Sequence, residues 1–456
     1  MQNGDTRQIS LMNYTWFPNQ SELLLLNEGD IWHYQLNEEK LIRLTNTEAV
    51  EEEADISPKG KSVSFIREND LYVMNLDTGE ERQLTTEGSE TILNGKLDWV
   101  YQEELVGRGI FRGYFWSPKS DKIAYLRFDT SNIPEYPLVD WRPYHPEVEN
   151  MRYPKAGDPN STVKLGVVSI DNSETVWMDT GEEKAVYFPR VYWLPDGKTV
   201  AFMRLDRLQQ HLELLFADAN TGESRVILEE RDPYWINLGD YVHFFKNKDR
   251  FLWGSERSGY NHLYLYNYEG KVVKQLTGGE WLVDKLAGVN EIDGWIYFTA
   301  TKKDLRERHV YRVNTGGDKF ERISDRCGVH EIKMAATGKF YADKFSSTER
   351  PSEVTLHRGS GDLLETIVGD DQNLPRKFAI SEPEFLTFTG DKGITYYARI
   401  IKPPDFDPGK KYPMLIYTYG GPHGQVVQNK FGGLSQKWHL MLAQRGYIIF
   451  SMDNRG

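Results

Sequence analysis

The chain holds one cysteine, Cys327, so no intrachain disulfide can brace it and its redox compartment leaves no mark on the sequence. No apolar run reaches the roughly 18 residues that a membrane-crossing helix requires. The opening residues, Met1-Gln2-Asn3-Gly4-Asp5, are polar and lack the apolar core of a secretion signal. Localisation therefore stays open between the cytoplasm and, where a leader has been removed, the periplasm or the exterior. Positive charge is also scarce: 55 Lys and Arg face 68 Asp and Glu, a net charge of −13, and no basic run exceeds a few residues. Nucleic acid needs a concentrated positive face, so that partner is excluded and a cationic or neutral one is favoured. There is no His-Glu-x-x-His pair and the histidines are scattered, so neither a metal site nor a cofactor is expected.

What the sequence does contain is a repeat. Aromatics are plentiful, apolar runs are short, and Gly, Asp and Asn recur as punctuation, which favours many short strands over helices. One phrase reads Trp16-Phe17-Pro18-Asn19, then Ile56-Ser57-Pro58-Lys59-Gly60, Trp116-Ser117-Pro118-Lys119 and Trp193-Leu194-Pro195-Asp196-Gly197. A β-rich run follows each copy, at 23–26, 63–66, 123–126 and 200–203. Twelve residues after Pro18 and Pro58 come Asp30-Ile31-Trp32 and Asp70-Leu71-Tyr72, and fifteen further on each unit closes on Thr45 or Thr85. Later units keep His262-Leu263-Tyr264 with Thr277, and His309-Val310-Tyr311 with Ser324. The pattern describes a four-stranded antiparallel unit of about 40 residues joined by Pro/Gly and Asp-Thr-Gly turns. A single such sheet cannot bury both faces, so the units must stack. The expected fold is mainly β: a β-propeller of about seven or eight four-stranded blades, with a linear array of sandwiches as the alternative.

Past Asn373-Leu374-Pro375 the texture changes, giving expected domains at 1–375 and 376–456. Runs 385–389 and 394–401 read as strands around the turn Gly390-Asp391-Lys392-Gly393. Met414 to Tyr419 is almost wholly apolar, as in a strand covered on both faces. Leu434 to Arg445 has helical periodicity and stops at Gly446, and 447–452 reads as another buried strand. This strand–helix–strand order is the expected start of an α/β-hydrolase domain. A chain ending on a turn directly after a core strand reads as a domain cut short.

Three stretches carry a resemblance. Asp98-Trp99-Val100-Tyr101-Gln102-Glu103-Glu104 precedes the blade Phe115-Trp116-Ser117-Pro118. Tyr153-Pro154-Lys155-Ala156-Gly157 precedes Asn160-Ser161-Thr162-Val163. Tyr417-Thr418-Tyr419-Gly420-Gly421-Pro422-His423 comes before Asp453-Asn454-Arg455-Gly456. With the supporting run Ser255 to Leu263, these resemble, in the same order, the dipeptidyl peptidase IV / prolyl oligopeptidase family of serine exopeptidases. The resemblance implies that the chain is the propeller and substrate-recognition portion of a post-proline peptidase. Such an enzyme releases X-Pro or X-Ala dipeptides from peptides with a free N-terminus and penultimate Pro or Ala. It further implies a homodimer for the full-length protein. A prolyl tripeptidyl aminopeptidase and a non-catalytic propeller binding module remain the alternatives.

The site residues follow from the resemblance. Glu103 and Glu104 become the clamp for the substrate ammonium, a task that suits acceptor-only carboxylates. Their mutual repulsion is expected to make one of them titrate above the usual range. Tyr419 becomes an oxyanion-hole donor. Trp235 reads first as a core or blade-edge tryptophan, with a wall of the substrate cavity as the alternative. The family's Gly-x-Ser-x-Gly elbow is absent: Gly359-Ser360-Gly361 has the wrong spacing, and Ser255 and Ser258 fall in a blade. Because acid and histidine follow the serine in such enzymes, all three are expected beyond Gly456 and the chain alone is expected to be inactive. His423 reads as an ordinary turn residue.

Overall fold

The computed structural model of the chain describes residues 14–182, 185–369, 377–378, 380–421 and 424–454. The expected break at Asn373-Leu374-Pro375, together with Pro422, His423, Arg455 and Gly456, lies outside the described residues. The chain forms two compact units, Met1–Leu238 and Gly239–Gly456.

The first unit holds four antiparallel sheets with their strands in chain order. Tyr14–Trp16, Glu22–Asn27, Asp30–Gln35 and Lys40–Arg43 form one, and Glu51–Ile56, Ser62–Arg67, Asp70–Asn75 and Glu81–Gln83 the next. The third is built on Tyr114–Trp116, Lys122–Asp129, Thr162–Ser169 and Thr175–Trp177, with Ile92–Asn94 paired to the end of its long second strand. The fourth places Val186–Tyr187 and Val191–Trp193 on one side of Thr199–Asp206, followed by His211–Asp218 and Ser224–Arg231. A separate hairpin, Glu135–Asp140 with Glu147–Arg152, is inserted within the third sheet.

Successive sheets bury their faces against one another, as the repeat requires. Phe17, Leu24 and Ile31 of the first meet Val63, Phe65 and Met74 of the second. Ile66, Leu71 and Val73 of the second meet Tyr114, Ile123 and Val168 of the third. The run Val63 to Ile66 is buried throughout, and its one polar member, Ser64, is satisfied by accepting Trp116 Nε1–H at 2.8 Å. Tyr114 turns its hydroxyl into this core, donating to Glu53 O at 2.5 Å and meeting Ser64 O at 3.1 Å. Burial pushes that phenol far above its ordinary pKa.

The second unit continues the pattern with three four-stranded sheets. They comprise His243–Phe244, Arg250–Ser255, His262–Asn267 and Val272–Gln275; then Val283–Asn290, Trp295–Ala300, His309–Asn314 and Phe320–Arg322; then Val329–Met334, Phe340–Ser347, Arg350–Arg358 and Leu363–Val368. Seven blade-like sheets are thus present among the described residues.

The fifteen-residue spacing has a physical cause. The closing Thr or Ser hydroxyl accepts the backbone N–H that follows the opening residue: Ile31 to Thr45, Leu71 to Thr85, Leu263 to Thr277 and Val310 to Ser324, each at 2.9 Å. The same hydroxyl turns its proton to the opening side chain, Asp30 at 3.3 Å or Asp70 at 2.7 Å. In the second unit it meets His262 Nδ1 and His309 Nδ1, each at 3.0 Å. His262 Nε2 faces the Gly279 carbonyl at 2.9 Å, which can only accept, so that nitrogen carries the proton and Nδ1 is the acceptor. Aspartate and histidine interchange here because both offer an acceptor at one point.

The second unit ends in a mixed sheet ordered Glu384–Thr389, Thr395–Ile401, Ile448–Met452, Met414–Tyr417. Its last two strands are parallel and joined through the helix Leu434–Gln444, whose Leu440 and Ala443 pack on Ile401 and Ile449. This is the expected strand–helix–strand opening of an α/β layer. One expectation is corrected: the strand from Met414 ends at Tyr417 and is not covered on both faces. Met414 and Ile416 point to one face of the strand and are exposed, while Leu415 and Tyr417 on the other face are half-buried.

Candidate functional site

Glu103 and Glu104 lie on one π-helical turn, Tyr101–Leu105. Val106 N–H closes it on Tyr101 O at 2.9 Å, while Gln102 N–H reaches Asp98 O at 3.1 Å. A π-turn rotates less per residue than an α-helix, so consecutive carboxylates point more nearly the same way. Nothing in the residues Tyr-Gln-Glu-Glu-Leu demands so rare a turn, and the surroundings impose it.

Asp98 anchors the start. Its Oδ1 accepts Tyr101 N–H at 3.0 Å and its Oδ2 accepts the Ser161 hydroxyl at 2.6 Å. Trp99 packs edge-on against Tyr153, with ring centroids 4.4 Å apart. Two of the sequence motifs, 98–104 and 153–163, therefore meet in space, and the second braces the first. Tyr101 is sealed against Phe128 and Tyr187, and its hydroxyl accepts Phe188 N–H at 2.7 Å. Arg190 donates to Leu105 O at 2.7 Å and holds the far end. Burial raises the pKa of Asp98 and lifts Tyr101 well above the ordinary phenol range.

The carboxylates differ in setting. Glu104 is exposed. Glu103 is 17% exposed at its side chain and is taken by Arg108, whose Nε lies 2.9 Å from Oε1 and 2.8 Å from Oε2. Hydrogen bonding to that guanidinium holds the Glu103 carboxyl below the usual glutamate range. At Glu103 the shift is thus downward, because the guanidinium five residues away bonds its carboxylate. Arg108 was missed by sequence reasoning. Its only sequence signal was a cation between the glycines Gly107 and Gly109, just after the pair.

Trp235 belongs to the same unit but stands on a loop, 49% exposed. Asp232 Oδ1 caps that loop by accepting Tyr234 N–H at 2.7 Å and Trp235 N–H at 3.0 Å. Among the described residues, no hydrogen bond or ring contact joins Trp235 to the glutamates. Elsewhere in this unit His211, Glu213 and Glu229 bring ligand atoms within 4.8 Å of one another. Arg204 and Arg231 already pair with those two carboxylates, at 2.6 and 3.2 Å.

Tyr419 lies in the second unit, on the loop after Met414–Tyr417, and is 65% exposed. Gly420 turns the backbone with φ of +76°. A Cβ at Gly424 would stand 1.9 Å from the tyrosine ring, so the side chain rests where only glycine leaves room. The last motif fastens this loop. Asp453 Oδ1 accepts Val426 N–H at 2.6 Å and Val427 N–H at 3.1 Å, and Asn454 donates to Gly421 O at 3.2 Å. Further along, Gln425 donates to Leu305 O at 3.0 Å. Asn429 donates to Glu307 at 2.8 Å and accepts Thr348 N–H at 3.0 Å. The loop is thereby tied to both the mixed sheet and the blade turns of its own unit.

Known proteins resemble this chain in sequence and fold. The family described as the dipeptidyl peptidase IV N-terminal region matches residues 23–352. A probable dipeptidyl peptidase 4 of Trichophyton verrucosum is 30% identical over 423 residues, covering 88% of this chain and 56% of the relative. A probable dipeptidyl-aminopeptidase B of Emericella nidulans is 29% identical over 434 residues, 88% of this chain and 47% of its own length. The chain thus spans about half the length of the curated relatives it matches. Among solved structures, dipeptidyl peptidase 4 of Porphyromonas gingivalis superposes with a TM-score of 0.89 at 27% identity, covering 100% of this chain and 65% of that one. A putative dipeptidyl aminopeptidase IV from Bacteroides ovatus gives 0.82 at 28% identity, covering 95% and 63%.

Proposed function

Because the chain belongs to the dipeptidyl peptidase IV family, we propose that it is the recognition portion of a serine peptidase that releases dipeptides from free peptide N-termini. The observation that carries the reading is the braced π-turn, which aims two adjacent carboxylates from one rigid base. A free α-ammonium brings three donors and one charge, and paired carboxylates match both. Holding the N-terminus at a fixed point sets how many residues reach the scissile bond. The names of these two relatives, both dipeptidyl enzymes, support release of dipeptides over tripeptides.

Tyr419 would supply one oxyanion donor, its ring lying where Gly421 and Gly424 leave room for it. The nucleophile, acid and histidine are assigned to sequence beyond residue 456, and penultimate Pro or Ala is the preference that the family resemblance supports. A boundary near residue 375 between blades and hydrolase portion belongs to the same reading. A homodimer is supported by the inserted hairpin, which exposes Tyr136, Leu138, Trp141, Tyr144 and Val148. Such clustered apolar exposure is uncommon on a surface without a partner.

The experiment compares Glu103→Gln and Glu104→Gln in the complete peptidase, using an Xaa-Pro chromogen with a free amine. Each change is expected to lower kcat/KM by about tenfold or more. Unchanged values in both variants would remove the clamp.

A further inference from the structure

The turn that carries the glutamates also carries its own cation. Arg108 stands at the tip of the bend Gly107–Ile110, closed by Ile110 N–H on Gly107 O at 3.0 Å, with Gly109 at φ +83°. Its guanidinium reaches back to Glu103, with Nε shared between the two carboxylate oxygens at 2.9 and 2.8 Å and Nη2 also on Oε1. Among the described residues it has no other hydrogen-bond partner, and its side chain is 82% exposed. The neighbouring Glu104 makes no such pair and remains open to solvent.

A cation gripped on one side and otherwise in water exchanges readily, since exposed ion pairs contribute little. The carboxylate lone pairs that Arg108 occupies are the ones an incoming ammonium would need. We propose that Arg108 is a built-in competitor for the clamp: it fills Glu103 in the empty site and yields only to a charged N-terminus. This rests on the reading of Glu103 and Glu104 as the ammonium site. It adds a specificity element, because an uncharged N-terminus gains too little to displace the guanidinium. Discrimination of this kind works by penalising the wrong ligand.

The test measures steady-state kinetics of the complete peptidase carrying Arg108→Gln or Arg108→Lys. Arg108→Gln is expected to lower KM about two- to fivefold for a free-amine Xaa-Pro chromogen, the range an exposed pair spans. KM of that variant should also climb more steeply with NaCl, because two uncompensated carboxylates then face the substrate. Arg108→Lys should fall between, since it keeps the charge and loses the fork. A KM that is unchanged or raised in Arg108→Gln overturns the proposal and makes Arg108 a brace that orients Glu103. Glu103→Gln separates the two readings. If it weakens binding while Arg108→Gln does not strengthen it, only the competitor is lost; if it has no effect in either background, the clamp itself has failed.

Discussion

Replacing Ser161 with alanine probes the link between two distant stretches of sequence. Ser161 Oγ donates to Asp98 Oδ2 at 2.6 Å, and both residues are buried. Hydrogen bonds to a charged partner contribute about 1.5–3 kcal/mol, so Ser161→Ala should cost about that much wherever Asp98 is ionised. The loss should depend on pH in a defined direction. Burial already raises the Asp98 pKa above its unfolded value, and losing the serine donor raises it further. A raised carboxylate pKa penalises the folded state only where the group is ionised. The unfolded chain titrates alike in both proteins, so the Ser161→Ala penalty should grow only as pH rises through the raised Asp98 pKa of the folded wild type, and level off above the still higher pKa of the folded variant. Urea unfolding of wild type and variant at pH 4 and pH 7.5 measures both quantities. In an Asp98→Asn background the serine bonds a neutral acceptor, so its removal should cost only about 0.5–1.5 kcal/mol. Equal stability of Ser161→Ala and wild type at pH 7.5, or a larger penalty at pH 4, would refute the reasoning.

Two further outcomes are expected. Thr85→Val removes the hydroxyl that accepts Leu71 N–H and donates to Asp70, leaving a buried amide without a partner, and should cost about 1–3 kcal/mol in chemical unfolding. Thr85→Ser should come close to wild type, as Ser324 fills the same role elsewhere. Tyr419→Phe in the complete peptidase should reduce kcat far more than it alters KM, and matched losses in both would assign the ring to packing.

Much of the blade region was legible because its cause is short-range. A turn after Pro58 or Pro118, and a hydroxyl fifteen residues beyond Asp70, are set by local backbone bonds that any copy of the unit must repeat. The replacement of Asp30 by His262 is visible as a letter change but becomes intelligible only through the Gly279 carbonyl at Nε2, which leaves Nδ1 as the acceptor. The apolar run Met414 to Tyr419 does not reveal that one face of its strand is uncovered, because apolar content alone does not say what packs on each face. The glutamate pair was found through its motif, while its electrostatics were not. Repulsion between adjacent residues is visible in sequence, whereas Arg108 acts through a bend whose geometry is not. The roles of Ser161, Asp453 and Asn454 also belong to tertiary contacts, which span 63 residues for Ser161 and Asp98.

The loop bearing Tyr419 has a mechanical character. It resembles a short bracket bolted to two frames, the mixed sheet through Asp453 and Asn454 and the blade turns through Gln425 and Asn429. A bracket fixed at both ends has little slack, so a displacement of either frame is transmitted to the part between. A shift of the turn at Leu305 to Glu307 would therefore be felt at Gln425 and Asn429, close along the chain to the Gly424 backbone beside which the Tyr419 ring rests.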